Sequence, residues 1–433
     1  MLKPARYILL QLTLLMFFPL FGQDEDYFSE DYIRHKDYIY KENIKSVELF
    51  QEGWRMSPPV VKLNGGQQLI LSFDDLDADI KEYHYTIIHC DAMWQPSDLL
   101  KSEYIKGFTE DEITDYAFSF NTLQTYTNYR LSFPTDYMAW TKSGNYILKV
   151  FEYEELDSNV ILTGRFMVTD QKVSISGEIV PPVKIEDRNY RQQLEFEINT
   201  GRYYIPNPYR DLKVMVYQNW RRDNAVNNIQ PRMVVGNRLD YSFLSDLIFD
   251  GGNEFRNFDI KSLKYQSERI AMIDYDYRGN QIYLHTDKRR TFKQYVFDED
   301  LNGRYYQEKE GTEFSDTEGD YTYVHFTMPY DHPLVNGNLY IFGALTRWDF
   351  TDEAMLRYDY EENMYKTSLY LKQGYYNYAY VFLEDGTEAG DMTLIEGNHW
   401  ETGNEYMILV YYREPGTSYD QMVGIEYIVA HQK

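Results

Sequence analysis

Apolar and polar residues alternate with a period of two along most of this chain. In LEFEIN, Leu194, Phe196 and Ile198 alternate with Glu195 and Glu197; in YRLSFP, Tyr129, Leu131 and Phe133 alternate with Arg130 and Ser132. In YKTSLYLK, Leu369 and Leu371 oppose Ser368 and Tyr370. Successive side chains of a strand point to opposite faces, so this pattern predicts half-buried antiparallel strands. Turn signals separate the runs: Asn64-Gly65-Gly66, Ser143-Gly144-Asn145, Asn302-Gly303, Asn336-Gly337-Asn338 and Glu384-Asp385-Gly386. No long segment carries a 3.6-residue apolar stripe. Short helical turns are expected only over 97–104 and 241–247. The predicted class is all-β, built as tandem β-sandwiches.

The first 22 residues break the pattern. Lys3 and Arg6 precede an apolar run from Tyr7 to Phe21, and Gly22 stands before the acidic QDEDYFSED. This is the layout of a secretory signal peptide, with the mature chain expected to start near Gln23. The apolar run falls short of the about 20 residues of a membrane span, and no later segment reaches that length, so no membrane insertion is expected. Cys90 lies far from the cleavage point, which argues against a lipoprotein. At about 100–200 residues per domain, the remaining chain suggests two to four domains. Breaks are placed where the composition shifts. The expected units are a leader at 1–22, an N-terminal sandwich at 23–170, a middle β-rich domain at 171–318 and a C-terminal sandwich at 319–433. The run IVPPVKIED, 179–187, reads as a linker or a strand that switches sheets.

Composition narrows the chemistry. A single cysteine, Cys90, excludes an intrachain disulfide and paired-cysteine motifs, and reads as a small buried hydrophobe. The formal net charge is −26, and loss of Lys3 and Arg6 takes it near −28. Such a field repels phosphate backbones and anionic lipid, so nucleic-acid and membrane-surface partners are not expected. The acid is spread along the chain as solvated faces; its sharper reading is attraction to a basic receptor. Tyrosine is abundant, with 44 Tyr beside 24 Phe and 6 Trp. Its ring packs on a pleated sheet while its hydroxyl tolerates water, so it serves both framework and interfaces.

No convergent catalytic set stands out. The chain lacks a P-loop, a Rossmann glycine fingerprint, G-x-S-x-G and H-E-x-x-H. No catalytic, cofactor-binding or metal-ligating residue is assigned, and no cofactor is expected. His84 and His89 fall on opposite faces of one strand. Asp75, Asp77 and Asp79 in DDLDAD, 74–79, sit at the first, third and fifth positions of a calcium loop. Ile80 then stands where glycine belongs and Thr86 where glutamate belongs. The segment reads as an acidic turn, with weak calcium binding the alternative. The most distinctive loops are QNWRRDN, 218–224, and GGNEFRNFD, 251–259. There Gly251-Gly252 suits positive φ, and Arg256 is expected to pair with Asp259.

Several runs in a fixed order resemble one family. They are LILSFDDLDADIKEYHYTIIHCDAMWQPSDLLKSEYIKGF from Leu69, DYAFSFNTLQTYTNYRLSFP, SGNYILKV, VYQNWRRDN and GGNEFRNFD. The chain is similar to the type IX secretion system plug proteins of the Bacteroidetes, and a leader ending Phe-Gly before Gln fits that phylum. The resemblance implies a non-enzymatic periplasmic protein. It implies that the protein binds an outer-membrane secretion barrel and closes the periplasmic end of that translocon pore. A second resemblance covers 336–386. Gly343, Trp348, Asp349, Gly374, Tyr375 and Gly386 match glycogen-binding early-set modules, which implies immunoglobulin-like, early-set sandwiches. Carbohydrate binding follows only if Trp348 is exposed on a flat face. A secreted glycan-binding or glycan-processing protein is therefore the alternative function.

Overall fold

A computed structural model describes residues 33–431; the expected leader and cleavage point lie outside the described residues. The architecture is all-β in stacked sheets. The N-terminal sandwich pairs two of them. One runs Ile44–Gln51, Leu69–Asp75, Thr127–Phe133, Asp115–Phe118. The other runs Tyr38–Ile39, Val160–Thr169, Gly144–Glu152, Tyr83–Cys90, Asp111–Glu112, with Val60–Lys62 added parallel to Val160–Thr169. The alternation places Tyr129, Leu131 and Phe133 inward and leaves Arg130 and Ser132 partly exposed. Tyr129 stacks on Phe73 at 5.3 Å and meets Tyr83 edge-on at 4.8 Å.

The second sandwich faces Leu212–Gln218, Glu405–Tyr412 and Gln421–Val429 against a sheet led by Ser174–Val180 and Arg191–Asn199. Leu194, Phe196 and Ile198 meet Val214, Val216, Ile408 and Val410 in its core. The third body is a single nine-stranded sheet, including Arg256–Asp259, Gly374–Glu384, Gly337–Phe342, Met364–Lys372, Tyr321–Pro329 and Gly279–Leu284. Phe258 and Tyr378 from one part of its strand order share a cluster with Ile282 and Val324 from the other, so the sheet folds over on itself.

The sheets regroup the segments expected from the sequence. The first core draws its buried residues from 44–168. The middle core takes residues 173–249 and then 406–428, while the third core spans 258–395. Strands beyond 405, expected in the C-terminal sandwich, thus complete the middle one, and strands from 256 onward, expected in the middle domain, join the third sheet. Alternation reveals that a strand exists but not which strand it pairs with.

Tyrosine is mainly framework. Eleven of the twelve largest fully buried side chains are tyrosines. Most of their hydroxyls find internal acceptors, as burial of a polar group favours, while those of Tyr85 and Tyr241 are buried without a partner. Tyr378 and Tyr380 donate to Asp287 at 2.6 and 2.9 Å, and Tyr411 donates to Asn145 at 2.7 Å.

Candidate functional site at the junction of the sandwiches

The chemically distinctive side chains gather where the three bodies meet. The first contact is apolar. In Gly144–Glu152, Tyr146, Leu148 and Val150 enter the N-terminal core, while Ile147 faces the other way. There Ile147, Cys90, Ala92, Trp94 and Met167 pack on Met215, Met407, Leu409 and Met422 of the middle sandwich. Both faces of this sheet are therefore covered, which explains why every residue of NYILKVF, 145–151, is buried. Cys90 is fully buried there, and burial pushes its thiol up to about 12. Asp420 sits at the rim and accepts from Ala92 N–H at 3.0 Å, Lys213 at 2.8 Å and Arg413 at 2.7 Å. Burial raises its pKa, and these donors reverse the effect and hold it below the usual range. His89, nearly fully buried, bonds Ser97 through Nδ1 at 2.9 Å and packs on Tyr419. Desolvation lowers its pKa to about 4.

The second contact is ionic. Asp74, of the acidic run 74–79, is fully buried between the N-terminal sandwich and the third body. It accepts from Lys372 Nζ at 2.6 Å, Tyr321 Oη at 2.7 Å and Asn128 Nδ2 at 2.8 Å. Lys372 lies 4.2 Å from the centre of the Tyr126 ring, and Tyr126 donates to Gly319 O at 2.8 Å. Arg55 bridges Glu48 and Asp316, the latter at 2.7 Å. The rest of the acidic turn is neutralised within the chain. The Lys81 ammonium stands among Asp75 at 2.9 Å, Asp77, and Asp79 at 3.8 Å, and fills the mouth of the turn with a cation.

Of the loops singled out by sequence, 218–224 reaches the apolar contact through Trp220, whereas 251–259 lies against 396–399. Arg256 does not pair with Asp259, as expected, but with Glu396 and with Asp287 at 2.8 Å, all three buried. Asp259 lies 3.5 Å from Lys261 instead. The alternation of Arg256–Asp259 turns Arg256 into the protein, where two carboxylates from distant segments are waiting. Of the two glycines, Gly252 takes the positive φ of 64°, whereas Gly251 is held by close approach, a Cβ there falling 2.0 Å from His399 O. In 218–224, Arg221 pairs with Asp223 at 2.6 Å and Arg222 pairs with Asp37. Burial would raise the Asp37 carboxyl, and Arg222 and Arg165 reverse this and lower it.

These elements enclose a cleft of about 190 Å³ at the three-way junction. Its walls bring together Arg55 and Arg165 from the N-terminal sandwich, Trp220 and Arg222 from the middle one, and Arg304, Tyr305, Arg347 and Trp348 from the third. Trp348 is not a flat exposed platform. It meets Phe342 at 5.5 Å and Phe255 at 6.0 Å, both edge-on, and Asp349 beside it pairs with Lys36 at 2.6 Å. Gly343 and Gly386 lie at turns, and Gly374 opens a strand that carries Tyr375. The cleft is not legible in the sequence, because its five arginines lie on five separate stretches of chain with no shared motif.

Among the described residues, no group of three or more His, Cys, Asp or Glu side chains is placed to hold a metal ion. No described helix is long and apolar enough to cross a membrane.

No curated protein matches the chain. Among solved structures, a hypothetical protein from Parabacteroides merdae is 35% identical, with a TM-score of 0.88, covering 92% of this chain and 100% of its own. The C-terminal domain of a Streptococcus agalactiae AgI/II polypeptide, at 8% identity and a TM-score of 0.14, is too dissimilar to inform the fold. Residues 44–170, the N-terminal sandwich, match the family model described as the type 9 secretion system plug protein first domain. The N-terminal sandwich is therefore a first domain of the type 9 secretion system plug protein family.

Proposed function

We propose that this protein is a non-enzymatic periplasmic component of a type IX secretion system that binds the periplasmic mouth of the outer-membrane translocon barrel and closes it. The family match at 44–170 carries the reading. The architecture supports it. A plug must resist deformation, and here three bodies are tied together by one apolar and one ionic contact. A plug must also release, which favours a polar, aromatic contact surface over a large apolar one. The strand Asp115–Phe118 lies at a sheet edge with all four residues exposed, and Phe120 just beyond it is 70% exposed. An open edge with exposed rings is a ready docking place for another chain.

The test is affinity purification from the native host. An outer-membrane barrel of the secretion system should copurify with a tagged copy. Deletion of the gene should make the outer membrane leaky to large antibiotics. Recovery of no barrel together with unchanged permeability would overturn the reading. Retention on a polysaccharide matrix would favour the glycan-binding alternative.

A further inference from the structure

We propose that the cleft at the three-way junction is a binding site for a compact apolar carboxylate, with the Arg347 guanidinium as the receptor for its charge. The reasoning starts from charge pairing. The chain holds 69 acidic residues against 43 basic ones, so a cation at this junction without a partner is unexpected. Around the cleft the other arginines are engaged. Arg55 meets Glu48 and Asp316, Arg222 meets Asp37, and Arg304 lies 3.3 Å from Glu405. Arg165 donates twice to His35 O. Arg347 differs, since its Nε is buried with no hydrogen-bond acceptor. A buried donor left unsatisfied is destabilising, and more so when it is charged.

The backbone reinforces the point. Arg347 and Trp348 are consecutive non-glycine residues in the left-handed region, at φ 58° and 55°. Strained positions of this kind persist where the surroundings over-determine them, and they cluster at ligand sites. Here two hydrogen bonds set the turn, Arg347 N–H to Ala344 O at 2.9 Å and Trp348 N–H to Gly343 O at 3.0 Å. The indole is fixed by Phe255 and Phe342. The fold thus holds an unpaired guanidinium and an aromatic wall side by side.

Size and lining define the ligand. A cleft of about 190 Å³ is smaller than the 300–1,000 Å³ typical of drug-sized ligands. It suits one carboxylate and one branched or aromatic group, since Leu49, Pro59 and Leu71 supply apolar walls. A planar guanidinium recognises a carboxylate through two parallel hydrogen bonds. The same chemistry is offered by a free apolar amino-acid derivative or by the end of a peptide. All three bodies line the site, so an occupant would tie them further together.

The experiment titrates the full chain by calorimetry with N-acetyl-L-phenylalanine, its amide, and a ten-residue peptide ending in phenylalanine. The free acid should bind at least about tenfold more tightly than the amide, the ratio of one charge-assisted hydrogen bond. Arg347→Gln should abolish that ratio, and Arg347→Lys should keep part of it. Tighter binding of the peptide than of the free acid assigns a peptide source, and the reverse order assigns a small molecule. Equal affinity for acid and amide in the wild-type chain overturns the proposal, as does no binding at millimolar concentration. So does a ratio unchanged in Arg347→Gln. If Arg347→Gln fails to fold, the wild-type ratio and Arg347→Lys still decide.

Discussion

The N-terminal sandwich meets its two neighbours in opposite ways. Toward the middle sandwich it offers Ile147, Cys90 and Met167, which pack on Met215, Leu409 and Met422 with little charge at the centre. Toward the third body it offers Asp74, Glu48 and Arg55, which meet Lys372, Tyr321 and Asp316. Apolar contacts are non-directional and insensitive to salt, and they tolerate small slips. A buried ion pair gives little net stability, because desolvation offsets the attraction, but it penalises every arrangement in which the partners separate. The first contact therefore supplies adhesion, and the second supplies a defined orientation.

The sharpest way to break this comparison is Lys372→Ala. It leaves Asp74 buried and uncompensated, and should cost about 3–5 kcal/mol in urea unfolding. Replacing both partners with apolar residues should recover most of that loss. If the single and double variants are equally destabilised, the pair is adhesive and not orienting. Next in size, Leu409→Ala on the apolar side should cost about 3 kcal/mol through lost burial and a residual cavity, with no dependence on salt. A marked salt dependence of that loss would blur the distinction.

A smaller effect comes with pH. His89 has a folded pKa near 4, set by burial, against 6.5 for the exposed imidazole. The unfolded chain binds the proton first, so stability falls as pH drops through 6.5 and stops falling below about 4. By pH 5 the loss should reach about 2 kcal/mol. His89→Gln should flatten this part of the stability profile, and an unchanged slope would remove His89 as its source. The smallest effect belongs to the half-exposed pairs Lys36–Asp349 and Lys45–Glu353. Raising salt to 1 M should weaken each by less than about 1 kcal/mol. A chelator should leave the melting temperature unchanged, because Lys81 already neutralises the acidic turn.

Local structure was legible in the sequence. The alternating runs became Arg191–Asn199, Thr127–Phe133 and Met364–Lys372. The expected helical turns became Lys101–Tyr104 and Ser245–Leu247. Asn302-Gly303 and Asn336 take the left-handed conformations that their turns require. Long-range pairing was not legible. DDLDAD looks the same whether its countercharge is a metal ion or Lys372, which lies 298 residues away. For the same reason the sequence points Arg256 to its near neighbour Asp259, whereas its partner Glu396 lies 140 residues away. The junction cleft is the extreme case, because proximity there is created wholly by tertiary packing.

The return of Glu405–Tyr412 and Gln421–Val429 to Leu212–Gln218 has a consequence for biogenesis. Gln218 bonds Tyr406 across 188 residues. At synthesis rates of about 5–20 residues per second, the strand at 212–218 waits roughly 10–40 s for its partner to be made. Until then its unpaired edge and apolar face stay open to misassociation, and a chaperone has reason to hold the nascent chain. A molecule truncated before 405 never closes the middle core, so only chains made past that point reach the finished form.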